Sequence, residues 1–194
     1  MARVAVFIAS PAEIKKTSIP VSFQAHEIIA CYTGIGKLRS AVTAYQHLSA
    51  SKYDIAINLG TCGSHQLSTG SVVEVGVFVE RDVDLTAVGM LPGFFPGAEG
   101  KIISPKRYFK NLLSVTCGTG DRVDMTLPTV PCDIYDMESF ALAYVCQKVS
   151  VPFLSIKFVS DASSVGLVEE WKKNRKLAEE ILLGNLDYFL KTYS

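Results

Sequence analysis

What this chain of 194 residues most plainly lacks is an excess of charge of either sign: 19 basic side chains are matched by 19 acidic ones. That balance excludes a long-range field able to gather nucleic acid. With 48% hydrophobic and only 20% charged residues, general disorder is excluded as well. No apolar run reaches the roughly 18 residues that a membrane-crossing helix needs. The opening MARVAVFIASPAEIKK has too short an apolar core, and an acidic residue too early, for a secretory signal. A cytoplasmic protein is therefore expected, with neither nucleic acid nor membrane as partner. Cysteine is sparse and unpatterned: Cys31, Cys62, Cys117, Cys132 and Cys146 are odd in number and contain no CxxC. This argues against a disulfide framework and a zinc site, and leaves reduced, buried thiols. Only three histidines occur, none at metal-ligand spacing from a carboxylate. Internal repeats, charge blocks and low-complexity segments are missing too.

What is present fits one domain, residues 1–194, with a sizeable core. Apolar runs at 3–9, 54–60 and 153–159 read as buried strands, and 71–86 and 114–123 as further strands. Two short antiparallel strands are expected within 18–33. Helical spacing predicts a helix over 37–49, with Leu38, Ala41, Val42, Tyr45 and Leu48 packed on the sheet. A second helix begins at Ser139, carries Ala141, Leu142, Val145, Cys146 and Val149 on one face, and is stopped by Pro152. A third runs from 167 to 191, with Trp171, Leu177, Ile181, Leu182, Leu186 and Phe189 on its apolar face. Strands alternating with helices predict an α/β fold, a three-layer αβα sandwich around a mainly parallel, mixed sheet.

Ligands of such sheets sit in the crevice beyond the carboxyl ends of the strands. Three carboxylates fall there: Glu13 after the first strand, Glu138 after CDIYDM, and Asp161 after FLSIKFVS. Each has an ordinary alternative, namely a solvated glutamate, a helix cap and a turn former. GIGK at 34–37 lacks the spacing of a phosphate loop and reads as a tight turn. The adjacent Phe94 and Phe95, in a glycine- and proline-rich stretch, need apolar cover from a second subunit or from their own core.

Taken in order, GIGK, NLGTCG, RDVDLTAVG, FPG, the YDMES turn and FVSDAS resemble the nucleoside phosphorylase and nucleosidase superfamily. The nearest likeness is to the methylthioadenosine/S-adenosylhomocysteine nucleosidases and to relatives acting on aminodeoxyfutalosine or futalosine in menaquinone synthesis. The resemblance runs from Val4 to about Ser163. It implies a homodimer that hydrolyses the bond between a purine and ribose, with the nucleoside and water as its only partners and no metal or organic cofactor. By the same resemblance Asp161 is the general acid at the purine N7, supported by Ser160. Glu138 holds the ribose hydroxyls, with Met137 beneath the sugar, and Glu13 serves the attacking water. Ile35 and Thr61 match pocket positions near the sugar and the nucleophile. Val123 stands where relatives carry an aromatic residue against the base. Leu85, Val88 and Pro96 fall where a neighbouring subunit lines the 5′ end. Two departures matter: Ser164 replaces the last aspartate of an S-D-x-x-D pattern, and Val88 replaces a frequent phenylalanine. Together with Val123 they favour an aminodeoxyfutalosine or futalosine type of substrate. A phosphate-dependent phosphorylase and a non-catalytic nucleoside-binding module remain as alternatives.

The chemistry asks for these residue types. A departing purine is a poor anion, and a positioned acid contributes about 10²–10⁴-fold. An ordinary aspartate, pKa about 3.9, is only about 0.1% protonated at pH 7, so Asp161 must be buried or share a proton. As the base leaves, the ribose becomes cationic, which an anionic Glu138 would stabilise.

Overall fold

The computed structural model describes residues 1–95 and 100–193. Nine strands form one mixed sheet: Arg3–Ile8 (β1), Ser22–Phe23 (β2), His26–Tyr32 (β3), Ile55–Gly63 (β4), Val72–Glu80 (β5), Lys101–Ile103 (β6), Leu113–Thr119 (β7), Ile134–Asp136 (β8) and Phe153–Asp161 (β9). The helices are Lys37–Ala50 (α1), Ser139–Lys148 (α2) and Leu167–Thr192 (α3).

Alternation along β1 shows how the layers arise, since successive side chains of a strand point to opposite faces. Ala5 and Phe7 join the core beneath α1 and α2, with Ala44, Leu48 and Leu142. Val4, Val6 and Ile8 join the core beneath α3, with Leu182, Leu186 and Phe189. The result is the expected three-layer sandwich.

The sheet runs β2-β3-β1-β4, and β9 then lies parallel to β4 and antiparallel to β5. Beyond β5 come β7 and β8, both in parallel pairing, and a single antiparallel bridge between Gly63 and Tyr135 returns β8 to β4. Strands β4, β9, β5, β7 and β8 thus close a ring. Closing it takes bends, and the register shifts at Cys62/Gly63 and at Val75/Val77. The second shift carries Gly76, where a Cβ would lie 2.3 Å from Ser114 Oγ. The first brings Gly63, Tyr135 and Asp161 side by side.

Several expectations are corrected. The two strands expected within 18–33 do pair antiparallel, as β2 and β3 about Gln24 (φ 50), but β3 is long and also runs parallel to β1. The strand expected over 71–86 ends at Glu80, where Arg81 turns inward and is buried. On α1 the buried face is Ser40, Ala44 and Leu48, whereas Leu38, Val42 and Tyr45 are 75%, 49% and 57% exposed. Small Ser40 and Ala44 let the helix approach the sheet and α2 closely, which turns the larger side chains outward. On α3, Leu177 is exposed and Trp171 leaves the packing face for the cavity described below. The short strand β6 was not foreseen. All five thiols are free and buried. Among the described residues no helix is long and apolar enough to cross a membrane.

Candidate active site

A cavity of about 290 Å³ opens where the ring closes. Glu13, Ile35, Thr61, Val123, Met137, Glu138, Ser160 and Asp161, all singled out from the sequence, line it. Leu85 and the exposed Val88 do not. Pro96 lies outside the described residues.

Glu13 sits in the turn after β1. Its Oε1 accepts from Thr61 N (2.8 Å) and Thr61 Oγ1 (2.6 Å), and Trp171 Nε1 donates to that same hydroxyl oxygen (3.1 Å). Its Oε2 is buried and has no partner among the described residues. Glu138 stands where β8 runs into α2, and its Oε1 accepts from Gly36 N (3.0 Å). Gly36 needs its φ of 98 to present that N–H, which is why the GIGK turn is glycine-rich.

Between these carboxylates lies a buried cation. Lys157 Nζ pairs with Asp136 Oδ2 at 2.8 Å, and both side chains are 1% exposed. A Cβ on Gly60 would be 3.1 Å from Lys157 Nζ and 3.4 Å from Glu13 Oε1, so only a bare backbone lets both groups converge there. Asp136 is further held by Thr119 Oγ1 (2.6 Å), by Ser139 N (3.0 Å) and by the Ser139 hydroxyl. Burial works against charge on Asp136, yet Lys157 and these donors hold it below the usual carboxylate range. Burial likewise works against Lys157, but Asp136 and Glu138 raise it overall.

Glu138 differs from its expectation as an anion. Burial, reinforced by the negative Asp136, pushes it up to about 8 against the opposing pull of Lys157. Burial thus favours the protonated form of Glu138 in the free site, against the anion expected from the sequence.

Asp161 ends β9 and is 8% exposed. Its Oδ1 accepts from Ser163 N (2.9 Å), and its Oδ2 lies 2.8 Å from Ser160 Oγ. Ser160 Oγ is also 3.2 Å from the carbonyl of Cys62. Ser160 Oγ donates to Asp161 Oδ2 by the shorter of the two contacts, and the Cys62 carbonyl is its longer, alternative acceptor. Burial raises Asp161 and outweighs the bonds from Ser160 and Ser163. Gly63 makes room, since a Cβ there would be 2.0 Å from Ser163 Oγ and 2.9 Å from Asp161 Oδ1. Ser164, at the altered family position, is exposed. The loop is tied instead from α3, where Glu170 Oε2 accepts from Ala162 N (3.1 Å) and Asn174 Nδ2 donates to Ser160 O (2.8 Å).

The third wall is the segment 122–124, organised by buried Arg81. Its Nε donates to Gly118 O (3.1 Å), and its two terminal nitrogens bond the Asp124 carboxylate and the Arg122 carbonyl. Arg81 and Arg122 both line the cavity. Each nitrogen of Arg81 is nevertheless already engaged within the chain. Sequence reasoning missed Asp124, Tyr135, Asp136, Lys157 and Trp171. The available signal was Lys157, the one charge inside FLSIKFV, which required a buried counter-charge.

A three-layer sandwich whose strand ends gather three carboxylates around a cavity is suited to acid–base chemistry on a small molecule. The comparisons agree. The phosphorylase superfamily model matches residues 112–191. The 5'-methylthioadenosine/S-adenosylhomocysteine nucleosidase of Bacillus velezensis is 32% identical over 163 residues, covering 72% of this chain and 70% of that protein. The S-adenosylhomocysteine nucleosidase structure from Streptococcus pyogenes superposes with a TM-score of 0.88 at 20% identity, covering 100% of this chain and 98% of the other. The futalosine hydrolase structure from Helicobacter pylori gives 0.87 at 19% identity, covering 98% and 97%. These two likenesses establish the fold. The chain belongs to the 5'-methylthioadenosine/S-adenosylhomocysteine nucleosidase family of the phosphorylase superfamily, and it is a nucleosidase.

Proposed function

We propose that this chain, acting as one domain, hydrolyses the N-glycosidic bond of a 5′-modified purine nucleoside and releases the free base. The observation that carries this reading is the convergence of Glu13, Glu138 and Asp161 on one cavity, each held differently. Asp161 retains a proton through burial, and delivers it to N7 as the bond to C1′ breaks. The electron pair of that bond goes to the purine, and the sugar becomes oxocarbenium-like. Glu138 accepts the ribose hydroxyls above Met137. Any proton on it must leave, or be shared with a hydroxyl, for the carboxylate to favour the cation. Glu13, with Oε2 unpartnered, accepts a hydrogen bond and then a proton from the water that attacks C1′.

Phosphate is a poor fit as nucleophile. It would need convergent free cationic donors, but those of Arg81 are spent within the chain and Glu13 is negative. The substrate is related to the compounds that name the family and its structural neighbours, methylthioadenosine and futalosine. Val88 leaves room for a bulkier 5′ group, and together with Val123 against the base and Ser164 it supports a substrate of the aminodeoxyfutalosine or futalosine type. The working unit is a homodimer, in which Leu85, Val88 and Pro96 of one copy face the 5′ end of its neighbour's substrate. Exposed Leu38, Val42 and Tyr45 on α1, beside a groove lined by Phe95, Phe140 and Tyr144, supply apolar surface for that contact. Sedimentation should give twice the chain mass, and a monomer at micromolar concentration overturns this part. For the reaction, purified protein is mixed with methylthioadenosine, aminodeoxyfutalosine and futalosine in phosphate-free buffer. Free base from at least one is expected, and none from any refutes the proposal.

A further inference from the structure

Helix α3 does more than cover the sheet. Leu167, Glu170, Trp171 and Asn174, in its first two turns, recur at offsets of three and four and so lie along one stripe. Leu167 and Trp171 line the cavity, while Glu170 and Asn174 bond the backbone of the Asp161 loop at Ala162 N and Ser160 O. Further along, Glu179 accepts from Lys15 N (3.0 Å) and Ser18 Oγ (2.7 Å), which anchors the segment just after Glu13. Trp171 is the only tryptophan of the chain. Its indole N–H donates to the Thr61 hydroxyl near the end of β4.

An indole N–H only donates, and a hydroxyl owns a single proton. With Trp171 donating to its oxygen, Thr61 keeps that proton for Glu13 Oε1, 2.6 Å away. Thr61 N donates to the same carboxylate oxygen at 2.8 Å. Oε1 is thereby held by two donors, and Oε2, buried and without a partner among the described residues, is the oxygen left to act. A general base works only within about 2.6–3.2 Å of the group it deprotonates, so a carboxylate free to swing spends part of its time out of reach. We infer that Trp171 is a positioning residue for the attacking water, fixing Glu13 through Thr61. The start of α3 then sets both the base and the loop that carries the acid. This rests on the nucleosidase reading above and adds to it the residue that aims the water-activating carboxylate.

A tryptophan that merely filled the wall would act through its bulk, and the test removes the donor while keeping the bulk. With one tryptophan in the chain, an analogue carrying sulfur in place of the indole N–H enters at position 171 alone, and isotope-labelled tryptophan gives a single indole N–H resonance. The analogue and Trp171→Phe should each lower kcat for the cleaved nucleoside by about three- to tenfold, the range of one neutral hydrogen bond. KM, and the melting temperature of the analogue protein, should stay close to wild type. In a Thr61→Val background the same replacements should lower kcat no further, because the group they act through is gone. Thr61→Val and Glu13→Gln should both shift the indole resonance, Glu13→Gln the less. Undiminished kcat in the analogue protein, a loss carried by KM alone, or equal losses with and without the Thr61 hydroxyl would overturn the inference. Absence of turnover in the wild type counts against the hydrolase reading instead, and the indole resonance then decides. One that moves with both variants supports the chain of bonds, and one that moves with neither overturns it.

Discussion

Replacing Asp161 by asparagine separates the proposed acid from every bland role for the same side chain. Asp161 accepts from Ser160 Oγ through Oδ2 and from Ser163 N through Oδ1, and Ser160 Oγ has the Cys62 carbonyl as a second acceptor at 3.2 Å. An asparagine set with its amide nitrogen at the Oδ2 position keeps the bond from Ser163 N and donates to Ser160 once that hydroxyl turns its proton to the Cys62 carbonyl. Stability should therefore stay within about 1 kcal/mol of wild type, the usual net value of one hydrogen bond. What the variant loses is a transferable proton. A positioned acid supplies about 10²–10⁴-fold, so kcat should fall by that factor, or roughly 2.7–5.4 kcal/mol in barrier. The assay is release of free base followed by chromatography, with thermal unfolding and calorimetric binding of nucleoside on the same samples. Undiminished turnover refutes the assignment of the acid. A loss of stability well beyond about 2 kcal/mol refutes the neutral aspartate, because a buried anion built into its site would be missed more severely.

Three further outcomes follow from the same geometry. Glu138 has a folded pKa near 8, above its ordinary 4.5, so its contribution to stability is complete below pH 4.5 and is lost as pH rises through 8. Glu138→Gln should thus gain in melting temperature relative to wild type between pH 5 and 8.5, and a constant difference would contradict the raised pKa. Lys157→Met leaves Asp136 buried and unpaired and should cost about 3–5 kcal/mol in denaturant unfolding, with much of it recovered by adding Asp136→Asn; a cost under about 1 kcal/mol would show that the pair is not isolated from water. Gly63→Ala sets a methyl 2.0 Å from Ser163 Oγ and 2.9 Å from Asp161 Oδ1, so kcat should drop. Adding Ser163→Gly, at a position whose φ is already 50, should restore part of it; no rescue would mean that the damage lies elsewhere.

The layers were legible because β1, β4 and β9 are long apolar runs and their partners are helices of clear period. The carboxylates were legible as residues beyond strand ends, and the ordered segments tied them to a family. The face of α1 was not. Leu38, Val42 and Tyr45 have the helical spacing of a core stripe, but the core prefers the small Ser40 and Ala44 because α1 must sit close to α2. Periodicity reports that a stripe exists, not which partner covers it. The ring of five strands was hidden as well, since it depends on two register shifts and one bridge at Gly63 rather than on any local preference. With it were hidden the Lys157–Asp136 pair and the raised pKa of Glu138, which arise only when distant segments are buried together.

The account turns on water, rather than phosphate, attacking C1′ of a purine nucleoside in this cavity. Turnover of a cleaved 5′-modified nucleoside in ¹⁸O-labelled water, with and without added phosphate, measures that directly. One labelled oxygen on the released sugar and a rate indifferent to phosphate are the predicted result. A sugar 1-phosphate as product, formed only when phosphate is supplied, would contradict it.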